Sequence, residues 1–243
     1  SLRPASESMK LPPSFLPTQF EYGNYLELFQ SSIPFLNLFG NSIFVTVIVT
    51  AAQLITCSTA AYSFARLNFP GRNIIFGTLL AVLMVPSSFF ILPQYLMIQK
   101  MGLLNTIPAL FIPGLFSAFG TFLMRQFFMG VPKELNEAAA LDGAGPIRTF
   151  VSIMLPMAKS TLTSLAIIVF TFSWNDYFTT FIMINDTNKL SLPVGILSIR
   201  QPFATGDNVE FAAVVLSVIP VLLVFIIGQK WIVKSMTHVG VKG

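Results

Sequence analysis

The sequence is short of charge, cysteine and histidine, and each shortage removes a class of function. Only 10% of its 243 residues are charged, whereas soluble domains carry about 25%, so most of its surface cannot face water. A single cysteine, Cys57, excludes a disulfide within the chain and a metal site built from cysteines. A single histidine, His238, leaves little for acid–base or metal chemistry at neutral pH.

The sequence also lacks the motifs of nucleotide and catalytic chemistry. It has no Gly-rich phosphate-binding loop followed by Lys-Ser or Lys-Thr, so nucleotide hydrolysis would need a separate chain. One acid, Asp176, interrupts the apolar runs, and paired buried acids for a catalytic set are missing. We therefore expect a protein that is not an enzyme, with no metal, no cofactor of its own and no nucleic-acid partner.

Apolar residues fill the sequence instead. They make up 54% of the chain, with 25 Phe, and the mean hydropathy is +0.75. A helix needs about 20 apolar residues to cross a bilayer core, and five runs approach or exceed that length. We predict an all-α, polytopic membrane bundle of five transmembrane helices, the second kinked at Pro86 or Pro93. The five runs are 42–65, 74–98, 107–124, 161–184 and 211–229.

The region before the first run is predicted to lie outside the membrane domain. Residues 1–40 contain four early prolines, which favour an extended lead-in, and we expect a short helix lying in the membrane interface at its end. Residues 41–243 would form one transmembrane domain. Because the chain begins at Ser1 on the outer side, we expect a further helix upstream of it. The interfacial helix would use Ile33, Phe35, Leu36, Leu38 and Phe39.

The distribution of Lys and Arg predicts the orientation, because cytoplasmic loops carry an excess of these residues. One set of loops holds nine of the 14, and the opposite set holds five. We assign the richer set to the cytosol, together with the C-terminus and the polar loop around 130–160. The nine are Arg66, Arg72, Arg125, Lys133, Arg148, Lys159, Lys230, Lys234 and Lys242; the five are Arg3, Lys10, Lys100, Lys189 and Arg200.

The polar loop around 130–160 carries the most specific pattern in the chain. Pro132 and early Glu residues favour a helix that runs to Leu141. Gly143 favours a stop, since glycine takes the left-handed conformation past a helix end. A second helix is predicted through Met154, ended by Leu155-Pro156. This helix–turn–helix is suited to a groove on another protein. The residues that we expect to form this coupling loop are Glu137, Ala138, Ala139, Asp142, Gly143, Ile153, Leu155 and Pro156.

This string resembles the EAA loop of permease subunits in binding-protein-dependent ABC importers. The resemblance covers nearly the whole chain and is strongest to the smaller membrane subunit of maltose-type transporters, in the carbohydrate uptake transporter-1 family. Other similar stretches are Asn41-Ser42, the segments 61–66, 102–106 and 125–128, Trp174-Asn175-Asp176-Tyr177 and the ending 240–243.

The resemblance implies a subunit that forms the path for a sugar across a bacterial inner membrane. Its implied partners are a second permease, a solute-binding protein outside and two ABC ATPase subunits that hold the ATP inside. The EAA loop would dock on an ATPase, with Glu137 making polar contacts, Ala138 and Ala139 lining the interface and Gly143 providing the bend. The C-terminal tail would also approach the ATPase.

Several residues have more than one interpretation. Arg66 and Arg125 are expected to anchor helix ends by snorkelling. Trp174 and Tyr177 fit an outer aromatic belt. Asp176 is a candidate for a cavity or gate, because an ionisable residue within a span suggests function. Trp174, Asn175 and Asp176 are therefore possible translocation-path residues.

Two alternatives stay open from the residues alone. The importer could carry a solute other than a sugar, such as a polyamine, phosphate or peptide. Alternatively, the chain could be a secondary transporter coupled to an ion gradient. That coupling would have to depend on Asp176, the one acid within the five apolar runs.

Overall fold

The computed structural model describes residues 1–4, 18–30, 34–199 and 208–239, with the backbone alone at 198–199 and 231–239. Within these ranges the regular structure is helical, without strands. Three segments are long and apolar enough to cross a membrane: Phe35–Arg66, Pro108–Gly130 and Asn208–Lys230. Two bent helix pairs also qualify, which gives up to five spans. The predicted all-α membrane bundle is confirmed.

Helix α2, Phe35–Arg66, is the centre of the bundle. It packs against α6, Ala118–Gly130, and α10, Lys159–Trp174. Helix α13, Asn208–Val239, covers the other side of α10. At a rise of about 1.5 Å per residue, the 32 residues of α2 span roughly 48 Å, so α2 is longer than the hydrocarbon core of a bilayer.

The start of α2 differs from the expected separate interfacial helix. Phe35 and Leu38 are buried in the first turns of α2, which continues without a break to Arg66. A short helix does precede it, α1 at Gly23–Gln30, and it packs against α13. Residue Ile33 and the prolines at 12, 13 and 17 lie outside the described residues, as do Lys10, Arg200 and the 240–243 ending.

The second apolar run is broken where a proline predicted a break. Helix α3, Arg72–Val82, is followed by a turn, a 3-10 segment at Ser87–Phe90 and α4, Ile91–Lys100. The two halves are bent by 102°. Pro86 has no N–H to donate and disfavours the helical conformation of the residue before it. Pro93 lies in the first turn of α4 and causes no second break.

The third run is also interrupted, and α2 compensates for the interruption. Helix α5, Pro108–Phe111, and a 3-10 turn, Ile112–Gly114, precede α6. The carbonyls of Gly114 and Leu115 accept hydrogen bonds from Gln53 at 2.7 Å and Thr56 at 2.9 Å, and the Cys57 thiol donates to the Ser117 carbonyl at 3.4 Å. Because lipid offers no hydrogen bonds, an interrupted helix is tolerated in a membrane only where protein or water satisfies its backbone.

The fourth run ends earlier than predicted, at Trp174, and a short helix α11 at Phe178–Met183 follows. Asn175 donates back to the Thr171 carbonyl at 2.8 Å, and the Asp176 carboxylate accepts from the Thr179 N–H at 3.2 Å. Short polar side chains compete with the helical backbone in this way. Helix α12, Leu192–Ile199, then leads toward α13.

Polar side chains from distant parts of the chain hold the segment before α12. Asn41 donates to the carbonyls of Asn188 and Leu190 at 2.8 and 3.1 Å. The Ser42 hydroxyl accepts the Leu192 N–H at 2.7 Å. Asn105 has a left-handed backbone, with φ of 60°, and its side chain accepts the N–H groups of residues 185 and 186. The segment 185–192 is thereby fixed to the start of α2.

Candidate functional site

The polar loop folds as two short arms, and we call residues 132–157 the elbow. The first arm is helix α7, Glu134–Leu141. The second contains α8, Pro146–Thr149, a π turn at Phe150–Met154, and α9, Leu155–Met157. The two arms therefore follow the predicted helix–turn–helix, with α7 beginning two residues after Pro132.

Gly143 makes the bend between the arms. Its φ of 75° is in the left-handed region, which glycine occupies at little cost. The Gly143 N–H donates to the Ala140 carbonyl at 3.0 Å, and the Ala144 N–H donates to the Ala139 carbonyl at 2.8 Å. This pair of bonds is a Schellman motif, which satisfies the last carbonyls of α7. Asp142 is the exposed residue at the helix end.

The second arm continues past the predicted stop. Leu155-Pro156 was expected to end it, but α9 runs to Met157 and the chain then bends by 77° into α10. The Leu155 N–H donates to the Phe150 carbonyl five residues earlier, the hydrogen bond of a π turn. A wider turn of this kind accommodates Pro156, whose ring would clash with the carbonyl four residues back in a regular α-helix.

The predicted contact residues divide between two faces of the elbow. Glu137, Ala138, Asp142, Gly143 and Pro156 are exposed, and Ile153 and Leu155 are half-buried. Ala139, which was expected to line the partner contact, is only 5% exposed. The Ala139 side chain is therefore buried in this structure, whereas the neighbouring Ala138 is exposed.

Sequence reasoning missed the most exposed apolar residue of the elbow. The Leu141 side chain is 89% exposed just before the bend, and Ile147 is 80% exposed just after it. Together they form an apolar tip that projects from the bundle. The sequence signal for this tip was Leu141, an apolar residue in a polar loop, two residues before the helix-ending Gly143.

The opposite face of the elbow is anchored in the bundle by aromatic rings. Phe150 and Met154 are buried. The ring of Phe150 lies 5.0 Å from that of Tyr62 on α2 and 6.3 Å from that of Phe128 on α6, centroid to centroid. The Tyr62 and Phe128 rings are 6.0 Å apart. The three rings form one cluster in which the elbow meets both helices.

Arg66 and Arg125 bind helix ends, which is more specific than the anchoring that we predicted. The Arg66 guanidinium donates to the Phe128 carbonyl at 2.6 Å and also to the Val131 carbonyl, at the end of α6. Arg125 donates to the Phe64 carbonyl at 3.3 Å, in the last turn of α2. Cations at helix C-termini are favoured by the helix dipole. Each helix therefore supplies an arginine to the end of the other.

The predicted path residues serve the packing of helix ends. Trp174 is 3% exposed, stacks on Phe170 and donates from its indole N–H to the Ser217 carbonyl at 3.0 Å. The Asp176 carboxylate accepts the Thr179 N–H in the first turn of α11. Trp174 was expected to face the outer interface or the path, and in this structure its ring fills the space between helices instead. Asn175 is exposed, but its amide is engaged with its own helix.

No group of three or more His, Cys, Asp or Glu that could hold a metal ion occurs in the described part of the chain.

Comparison with known proteins decides the class of this membrane bundle. A family described as "Binding-protein-dependent transport system inner membrane component" matches residues 55–238, which include the elbow and most of the spans. The chain belongs to this family. It is a transport component of a membrane, which crosses the bilayer several times, and its family is not one of catalytic enzymes.

Similar proteins cover almost all of the chain. An arabinooligosaccharides transport system permease protein of Halalkalibacterium halodurans is 29% identical over 245 residues, 100% of this chain and 88% of that protein. An sn-glycerol-3-phosphate transport system permease protein of Pectobacterium atrosepticum is 31% identical over 240 residues, 95% of this chain and 84% of that protein. The resemblance to sugar-importer permeases that the sequence suggested is confirmed.

One solved structure shows the same fold. It is a bacterial ABC transporter involved in the import of the acidic polysaccharide alginate, with a TM-score of 0.79 and 23% identity. The match covers 88% of this chain and 81% of that one. The bent helix pairs of the binding-protein-dependent permease thus belong to an established membrane architecture.

Proposed function

We propose that this chain is a permease subunit of an ATP-driven ABC importer, which passes a carbohydrate delivered by an extracytoplasmic binding protein. ATP would be bound by two separate ATPase subunits, and a second permease would complete the path. The observation that carries the proposal is the elbow. It is rigidly bent, anchored by its inner face and apolar at its tip.

The tip is an exposed apolar surface outside the membrane-spanning helices. Leu141 and Ile147 are 89% and 80% exposed, and exposed apolar side chains of this size are typical of interaction sites. An ATPase groove that covers them would gain apolar burial, with the exposed carboxylates of Glu137 and Asp142 at its rim. The small, exposed Ala138 side chain would allow a close approach of the partner.

The charge distribution supports a cytosolic elbow. Lys133, Arg148 and Lys159 lie within or beside the elbow, and Arg66 and Arg125 bind the helix ends at its base. The excess of Lys and Arg on one side is the established signal for the cytoplasmic face of the inner membrane. We infer that the segment 185–192, at the other end of α2, faces the binding protein.

The bend between α3 and α4 is the best candidate for the translocation path. Met84 and Phe89 are 86% and 71% exposed, and Ser87 and Ser88 are exposed beside them. Their backbone is not regular α-helix, and such a segment is not tolerated against lipid. It therefore faces a water-filled path or the second permease. Serine hydroxyls and an aromatic face are groups that suit sugars.

The names of the relatives support a polyhydroxylated solute. They comprise an oligosaccharide and sn-glycerol-3-phosphate, and both solutes carry hydroxyl groups. The Asp176 carboxylate is engaged by the Thr179 N–H, and neither relative is named as an ion-coupled transporter. Uptake that follows an ion gradient and persists after ATP depletion would contradict the proposal.

Cysteine crosslinking across the elbow tests the docking. Ala138→Cys should crosslink to a cysteine placed in the groove of a co-expressed ATPase subunit, with a yield that changes between nucleotide states. Ala139→Cys is the matched control, because its side chain is only 5% exposed, and it should crosslink weakly. Equal yields for the two variants, or none for Ala138→Cys in any nucleotide state, would contradict the docking.

A further inference from the structure

We infer that the last turn of α2 is the part of the bundle that receives the motion of the elbow, with Arg66 and Tyr62 as the positioning residues. The inference rests on the proposed function, and it names how force from the ATPase would enter the membrane helices. The inference follows from the two points, Val131 and Phe150, at which the chain around the elbow is attached to α2.

The entry to the elbow is attached to α2 through Arg66. The guanidinium donates to the Phe128 and Val131 carbonyls, and Val131 lies three residues before α7. Both bonds come from one nitrogen, Nη2, which the rigid planar guanidinium holds in place, whereas a lysine carries its charge on a flexible stem. The Val131 side chain is itself buried in the core. The chain therefore enters the elbow from a fixed point.

The second arm of the elbow is attached to the same turn through Tyr62. Its ring is 6% exposed and lies 5.0 Å from the ring of Phe150, at the start of the π turn. Residues 62 and 66 are four apart, so they lie on one face of α2. Val131, just before the elbow, and Phe150, within its second arm, are 19 residues apart and are thus held by one helical turn.

Helix α2 connects this turn to the opposite side of the bundle. It has no break between Phe35 and Arg66, and Asn41 and Ser42 near its other end hold the segment 185–192. A displacement of the last turn of α2 would therefore be transmitted along the helix to the segment 185–192. One continuous helix links the surface proposed for the ATPase with the surface proposed for the binding protein.

The test uses the full transporter in proteoliposomes, with the chain assembled with its second permease and ATPase subunits. The readouts are basal ATP hydrolysis, its stimulation by the sugar-loaded binding protein, and sugar uptake. Arg66→Ala and Tyr62→Ala should lower stimulation and uptake at least tenfold and leave basal hydrolysis within about twofold of the wild type, since neither residue touches the ATPase. Arg66→Lys should remain impaired because a flexible lysine stem does not hold one nitrogen against both carbonyls as the rigid guanidinium does.

Two control variants separate the loss of the elbow's attachment from the mere loss of a positive charge or of the tyrosine hydroxyl. Arg72→Ala removes a guanidinium whose hydrogen bonds go to Leu67 and Asn68, in the connection between α2 and α3, rather than to the elbow. Tyr62→Phe keeps the ring. Both variants should retain stimulation and uptake. Stimulation at the wild-type level in Arg66→Ala and Tyr62→Ala would overturn the inference. If Arg66→Ala does not assemble, the results for Arg66→Lys and Tyr62→Ala decide the question. A wild-type complex with no stimulated hydrolysis and no uptake would refute the proposed function instead.

Discussion

At the scale of single residues, small side chains allow the closest approach between α2 and α6. A Cβ atom added at Gly120 would lie 2.9 Å from the Cys57 sulfur and 3.2 Å from the Cδ1 atom of Leu165. Both distances are tighter than ordinary van der Waals contact. Cys57 also donates to the Ser117 carbonyl at 3.4 Å, so its thiol combines a packing role with a hydrogen bond at the interrupted helix.

Gly120→Ala should therefore destabilise the bundle by about 1–3 kcal/mol, the usual cost of overpacking a filled interior. The thermal midpoint of the detergent-solubilised protein is the measurement. Gly130→Ala is the matched control on the same helix, because nothing lies within 4 Å of its Cβ position, and it should leave the midpoint unchanged or raise it.

Adding Cys57→Ala to Gly120→Ala removes the sulfur from the close contact and should recover part of the lost stability. The two changes should thus be non-additive, as is usual for residues in contact. Strictly additive losses would show that α2 and α6 are farther apart at this point than the structure has them.

At the scale of elements, two glycines flank Ala144 in the elbow, and the bend depends on the first of them, Gly143. Gly143 has a φ of 75°, whereas Gly145 has a φ of −71°. Neither position has an atom within 4 Å of an added Cβ. Substitution therefore tests backbone conformation alone, without a change in packing.

Gly143→Ala should cost about 1–2 kcal/mol locally, the usual penalty for an L-residue in the left-handed region, and Gly145→Ala should cost little. Hydrogen exchange of the amides of residues 143 and 144 measures the opening of the turn. Gly143→Asn should be milder than Gly143→Ala, since asparagine tolerates this region. Equal exchange in the two alanine variants would mean that the Schellman turn is not maintained in solution.

The elements also show which features the sequence could predict. Gly143 and Pro86 fix backbone conformation through their own chemistry, so the bend of the elbow and the break after α3 were predictable. The burial of Ala139 and Trp174 was not, because it depends on which helices pack beside them. The early end of α10 could be traced to Asn175 and Asp176, but a long apolar run concealed it.

At the scale of the whole molecule, the orientation of the bundle is open to a direct test. Ile147→Cys places a thiol on the elbow tip, and Asn188→Cys places one on the segment 185–192; both positions are exposed. The native Cys57 is 0% exposed and should contribute little background. A membrane-impermeant maleimide should label Asn188→Cys in cells with a permeabilised outer layer, and Ile147→Cys only in inverted vesicles, because Lys and Arg are enriched on the elbow side.

The opposite labelling pattern would place the elbow on the exterior and remove the basis for ATPase docking. Labelling of both positions from one side would contradict an odd number of spans between them. Between these positions lies α10, which meets the criteria for a span only together with Pro146–Met157, the second arm of the elbow, where Ile147 itself lies.

The burial of one indole has a practical consequence. Trp174 lies where three spanning helices converge: its ring contacts Phe39 of α2 and Phe170 of α10, and its N–H reaches Ser217 of α13. Tryptophan emission is sensitive to the polarity and hydrogen bonding around the ring. With Trp231, the second of the two tryptophans, replaced by Phe, the chain would carry an intrinsic fluorophore that reports when those three helices slide apart during a transport cycle.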